Sequence, residues 1–222
     1  MQRRSFLALG LPAVLAACGA DNIWADDTTV RNARFVSNEP PSITLFTVVG
    51  IPRGEGAHSA LMINGSQRVI YDPAGSWSHP RIPERHDVLY GITDNFKHFY
   101  IDYHARETYW VAEDRVLVSR EVADAAIRAA EAQGAANKSY CAISTGKVLR
   151  RVPGFQGAPV GFSPNKLRAW FLTLPGVQSH EWRDGDPANN HDVLLRQKNG
   201  TIEGYRNGQL GPRVTASGQA VQ

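Results

Sequence analysis

The sequence predicts an α+β fold, a sheet of mostly antiparallel strands with helices packed against it. Three observations lead there. From Ser42 the chain runs through short segments rich in β-branched and aromatic residues, near Ser119 the periodicity becomes helical, and the strands and helices come in blocks rather than in alternation. Such blocks favour an antiparallel sheet with segregated helices over a parallel βαβ arrangement. With 42% apolar residues in 222 positions, one ordinary hydrophobic core is expected.

Residues 1–17 have the layout of a cleaved export signal: Arg3 and Arg4, an apolar run from Phe6 to Ala17, then small residues before Cys18. A helix of that run would be about 18 Å long at about 1.5 Å per residue, short of a hydrocarbon core of about 30 Å. Arg3-Arg4-Ser5-Phe6-Leu7 resembles a twin-arginine signal, and Leu15-Ala16-Ala17-Cys18 resembles a bacterial lipobox. Cleavage there would leave Cys18 as the first residue, with its sulfur in a thioether to diacylglycerol and a further acyl chain, such as palmitate, on its amine. Several acyl chains make a stable anchor. The expectation is a lipoprotein in the periplasm, held to the inner or outer membrane by lipid on Cys18.

The remaining elements follow in order. Residues 18–41 are polar and end in Asn38-Glu39-Pro40-Pro41, which suits a linker from the membrane. The folded domain spans 42–211. Its expected strands are SITLFTVVG, HSALMIN, QRVIYD, FKHFYIDYH and ETYWVAEDRVLVS. In SREVADAAIRAAEAQG, Val122, Ala126, Ala129 and Ala130 form one helical stripe, with Ser119 as N-cap and Gly134 as terminator. A second helix is expected from about Tyr140 to Val152, before Pro153-Gly154. A third opens at Ser163-Pro164, carries Leu167, Trp170 and Phe171, and closes at Pro175-Gly176. HDVLLRQ, Asn199-Gly200 and TIEGYR read as a hairpin, and 212–222 as a frayed tail.

Removing residues 1–17 takes away two arginines and no acids, so the formal charge of +3 falls to +1. With no basic run longer than Arg150-Arg151, nucleic acid is not an expected partner, and a monomer is expected. No H-E-x-x-H, C-x-x-C or close cluster of histidine with carboxylate marks a metal site, so no metal or cofactor is expected. GIPRGEG lacks the lysine and following helix of a phosphate loop. Trp77, Trp110, Trp170 and Trp182 either line a cleft or pack in the core, with packing the default.

Two cysteines remain to be assigned. With Cys18 taken by lipid, Cys141 has no intramolecular partner, which marks either a reactive thiol or a small buried side chain. Its place near a helix start favours the thiolate, through unpaired N–H groups and the helix dipole. A base is then needed. Of seven histidines, His79, His86, His98, His104, His180 and His191 fit packing or surface roles. His58 opens the strand HSALMIN beside the flexible Arg53-Gly54-Glu55-Gly56-Ala57. A three-residue loop at Asn64-Gly65-Ser66 would set it opposite Asp72 on the same face, where the carboxylate can hold the ring in one tautomer. A two-residue loop would put the two on opposite faces.

G-E-G-A-H-S-A-L-M-I-N, then V-I-Y-D, then S-Y-C-A at a helix start resembles the circularly permuted papain-like group, which includes NlpC-type cell-wall amidases and lecithin:retinol acyltransferase-like proteins. In that group the histidine strand precedes the cysteine helix. The resemblance covers about Ile43 to Val152. It implies a permuted papain-like fold, Cys141 as nucleophile, His58 as base, Asp72 as the residue orienting it, and Tyr140 as an aid at the oxyanion. It also implies a cysteine peptidase or amidase acting on a cell-wall peptide or an acyl substrate. The alternatives are a periplasmic binding or assembly lipoprotein with the same fold and no reaction, and a redox role for Cys141.

Overall fold

The computed structural model describes residues 20 and 22–198 in full and the backbone of 202–206 and 209–214. The expected signal, Cys18 and residues 215–222 lie outside the described residues. Within them the fold is α+β, with six helices and a seven-stranded sheet whose pairings are all antiparallel.

The sheet is built around β1 (Ser42–Gly50), which pairs with β2 (Gly56–Asn64) on one side and β6 (Tyr109–Leu117) on the other. Beyond β2 lie β3 (Arg68–Tyr71), β5 (Val88–Tyr90) and β4 (Glu84–Arg85), and beyond β6 lies β7 (Gln178–Trp182). All nine residues of β1 are buried, because helices cover both faces. Alternate side chains divide between two cores. Ile43, Leu45, Leu61, Ile63 and Val69 meet α3 (Arg120–Glu131), α4 (Cys141–Arg150) and α5 (Pro164–Phe171). Phe46, Val48, Ala60, Met62 and Ile70 meet α2 (Asp94–His104) and α6 (Asn190–Lys198).

The helix caps behave as their residue types dictate. Ser119 accepts from the Val122 N–H and Ser163 from the Lys166 N–H, with Pro164 at the first helical position. Gly134 and Gly176 take positive φ, at 76° and 78°, in the segments that follow α3 and α5, whose C-caps are Ala132 and Leu172.

Four expectations are corrected. FKHFYIDYH forms α2, not a strand: its aromatic content suits a sheet, but Phe96, Phe99, Tyr100 and Tyr103 share a helical face, and Thr93 caps the Phe96 N–H at 3.3 Å. HDVLLRQ forms α6, which buries Val193 and Gln197 four residues apart, and the hairpin joins β8 (Ile202–Arg206) to β9 (Gln209–Val214) instead. Strand β9 takes Pro212 to Val214 out of the expected frayed tail. The linker is partly folded, since Asp26 caps α1 (Asp27–Ala33) and Phe35 accepts a backbone bond from Arg68. The short strands β4, β5 and β7 were not expected, being too brief or too polar for a periodic signal.

Candidate active site

Cys141 is the first residue of α4, and the preceding loop sets it there. Ala136 N–H donates to Asp87 Oδ2 at 2.7 Å, Ser139 takes a left-handed φ of 68°, and Tyr140 N–H donates to Asn137 O at 3.1 Å. No side chain caps α4, so its leading N–H groups are not spent on a capping oxygen. The helix is fixed from its other side as well. Thr145 Oγ1 donates to Ser59 O at 3.4 Å, and a Cβ on Gly146 would lie 2.2 Å from Pro159 O, so α4 packs closely on that loop. Cys141 is buried, at 6% exposure, and is a free thiol.

His58 stands near the start of β2. The β2–β3 loop has three residues as expected, but they are Gly65-Ser66-Gln67, since Asn64 pairs with Arg68. An odd loop keeps the parity and moves the register by two positions, so Asp72 lies diagonally across from His58 on the same face. His58 Nε2–H donates to Asp72 Oδ1 at 2.7 Å, and the Tyr100 hydroxyl donates to the same oxygen at 2.7 Å. A Cβ on Gly75 would lie 1.8 Å from Asp72 Oδ2, so the absence of a side chain there is what admits the carboxylate.

With Nε2 taken by Asp72, Nδ1 is the ring nitrogen left for the thiol. Burial works against a charged His58, but the Asp72 carboxylate and then Cys141 outweigh it and push the imidazole up to about 10. Burial likewise opposes the Cys141 thiolate, yet the hydrogen bond and charge of His58, followed by bonds with the Ser59 and Ala142 backbone, hold its pKa below the ordinary thiol value. Asp72 is also lowered despite its burial, chiefly by His58. The three shifts run together toward a thiolate, an imidazolium and a carboxylate in series. This is the charge state of an activated nucleophile.

Sequence reasoning missed two members of the group. His104, assigned to an aromatic strand, lies on α2 with its ring parallel to His58, centroids 5.6 Å apart and planes 3° apart. Its Nδ1–H donates to Tyr100 O at 2.8 Å, and burial first, with the His58 charge, depresses it to about 4, so it is neutral. Tyr100 is the other. The helical spacing behind Thr93 was the signal for both, and the aromatic content hid it. Tyr140 is adjacent to the thiol in sequence, but its ring is 40% exposed and meets Phe162 edge-on at 5.3 Å.

His79, His86, His98 and His180 have structural partners. His79 Nε2 bonds Gln197 O at 3.3 Å, and His86 and His180 lie against Trp24 and Trp182. Trp77 is buried and donates to Gln197 Oε1 at 3.0 Å.

Two clusters have metal-ligand composition among the described residues. In His58, Asp72 and His104 the ligand atoms lie within 4.8 Å of one another, but the bond between His58 and Asp72 already uses two of them. In Asp102, Asp184 and Asp186 the space between carboxylates is filled by the Arg106 guanidinium, at 3.1, 3.3 and 3.2 Å.

Two hollows border the loops before and after α4, and neither is lined by Cys141 or His58. One, of about 470 Å³, is bounded by Ala74 to Ser78, Asp87, Ala136, Lys138 and Ile23. The other, of about 440 Å³, is bounded by Pro159 to Ser163 and Lys166. Comparison with protein-family models, with curated proteins and with solved structures gave no match.

Proposed function

We propose that this chain is a lipid-anchored periplasmic thiol hydrolase of permuted papain-like type, acting on peptide-type amides of the cell wall. One observation carries the reading: a buried carboxylate, a part-buried imidazole and a buried thiol stand in series, with the thiol on the first turn of an uncapped helix. The lipobox at Leu15 to Cys18 supports the anchor and the compartment.

In this mechanism the Cys141 thiolate attacks the carbonyl carbon. A C–S bond forms and the carbonyl electron pair moves to oxygen, where N–H groups at the start of α4 stabilise it. The pair returns as the C–N bond breaks, and His58 gives its Nδ1 proton to the departing amine. Water then attacks the thioester while neutral His58 takes a proton from it, and the C–S bond breaks. The product acid leaves, and the thiolate–imidazolium pair is restored. Asp72 holds the ring so that Nδ1 faces sulfur throughout, and Tyr100 holds Asp72.

Incubation of the purified chain with cell-wall fragments and with lipid esters, wild type against Cys141→Ala, tests the reading. Release of new amines from wall peptide is expected, with a loss of about 10³-fold or more in the variant. Equal behaviour of the two proteins would leave the binding lipoprotein as the function.

A further inference from the structure

Residues 22–25 extend the sheet past β4. Trp24 pairs antiparallel with Arg85, Ala25 N–H donates to Glu84 O at 2.9 Å, and His86 N–H donates to Ile23 O at 3.1 Å. Arg85 fastens the segment further, with Nε on Ala25 O at 2.7 Å and its guanidinium 4.6 Å from the Trp24 ring centroid. Ile23 is also a wall of the hollow that reaches Gly75, which lies against Asp72, and Lys138 in the loop before α4.

This pinning sets how far the domain can stand from its anchor. Five residue steps lead from Cys18 to Ile23, a reach of at most about 18 Å even when extended. Had all of 18–41 been a flexible spacer, its typical span would be about 27 Å and its extended span about 80 Å. A domain of this size is about 40 Å across. The tether is shorter than the body it carries, so the edge holding Ile23 must face the lipid.

The surface there suits that position. Ile23 and Trp24 are 47% and 61% exposed, and exposed Arg81 shares a groove with both. Tryptophan favours the bilayer interface, whereas the exposed Asp26 and Asp27, the latter paired with Arg85 at 2.6 Å, give the edge no net attraction to anionic headgroups.

We propose that the edge formed by Ile23 and Trp24 rests on the phospholipid surface and turns the hollow bounded by Ile23, Gly75 and Lys138 toward it. The cell-wall peptide of the preceding subsection is then met at the membrane face. This rests on the lipid-anchored hydrolase reading of the preceding subsection.

The test uses the full lipidated chain in vesicles of phosphatidylethanolamine and phosphatidylglycerol carrying a photoactivatable phospholipid, with crosslinks mapped by mass spectrometry. Crosslinks are expected at 22–25 and 78–85, and at least threefold fewer at β7 on the opposite sheet edge. A twelve-residue Gly/Ser insert between Ala20 and Asp21 is expected to lower the yield at the first two regions at least threefold. Crosslinks spread evenly, concentrated at β7, or unchanged by the insert would overturn the orientation. The same spectra report the mass on Cys18, and an unmodified Cys18 would overturn the proposal together with the anchor. Iodoacetamide labelling of Cys141 reports the thiol separately, so orientation and chemistry can fail independently.

Discussion

Asp72 and His104 show how much of the site is decided atom by atom. Asp72 Oδ1 accepts from both His58 and Tyr100, so one buried carboxylate fixes the imidazole tautomer while its own position is fixed from α2. His104 contributes by staying neutral. Between its ordinary value of 6.5 and about 4 the unfolded chain takes up a proton that the folded chain refuses. The corresponding stability is fully present above 6.5 and is lost as pH falls toward 4. His104→Phe keeps a ring against His58 and removes that titration. Between pH 7 and 4.5 the wild type is therefore predicted to lose about 1–3 kcal/mol more than the variant, measured by urea unfolding. Asp184, raised to about 6 mainly by burial, changes stability in the opposite sense, but it does so in both proteins and cancels in the comparison.

Among the elements, those with strong local signals were the readable ones. Ser119, Ser163-Pro164 and the stripe from Val122 to Ala130 announce their helices, and β1 to β3 announce themselves by composition. Parity in the β2–β3 hairpin was readable too, because it depends only on an odd loop length, whereas the register depends on which residues turn. Helix α2 was not, since aromatic residues suit either a sheet or a buried helix face, and only the Thr93 cap with the spacing behind it decides. That misreading hid His104 and Tyr100, while Cys141, His58 and Asp72 were found from residue type and position. The seating of α4 is a further matter of contact that spacing does not reveal. A methyl group at Gly146 meets the Pro159 carbonyl at 2.2 Å, so Gly146→Ala is predicted to cost about 1–3 kcal/mol in urea unfolding by pushing α4 off that loop.

For the molecule as a whole, the segment read as a linker belongs to the fold. Arg68, 1% exposed, has Asp94 at 2.5 Å, a hydrogen bond to Ser37, Glu39 at 3.5 Å and the Phe35 ring at 5.4 Å. Polar, proline-punctuated composition concealed this, because the partner that orders the segment is a buried arginine on β3. Removing residues 22–39 would leave that guanidinium with Asp94 alone, at a predicted cost of about 3–5 kcal/mol in urea unfolding. The same long-range assembly unites Cys141 with His58, which are far apart in sequence and meet only when α4 docks on β2. Pulse alkylation of the purified chain by iodoacetamide from pH 4 to 10, wild type against His58→Ala, therefore tests the proposed thiolate–imidazolium pair most directly. Cys141 is predicted to label readily below pH 7 in the wild type, and in the variant only toward the ordinary thiol range, above about pH 8. A thiol that stays unlabelled until the chain unfolds, or a profile that His58→Ala leaves unchanged, would contradict the account.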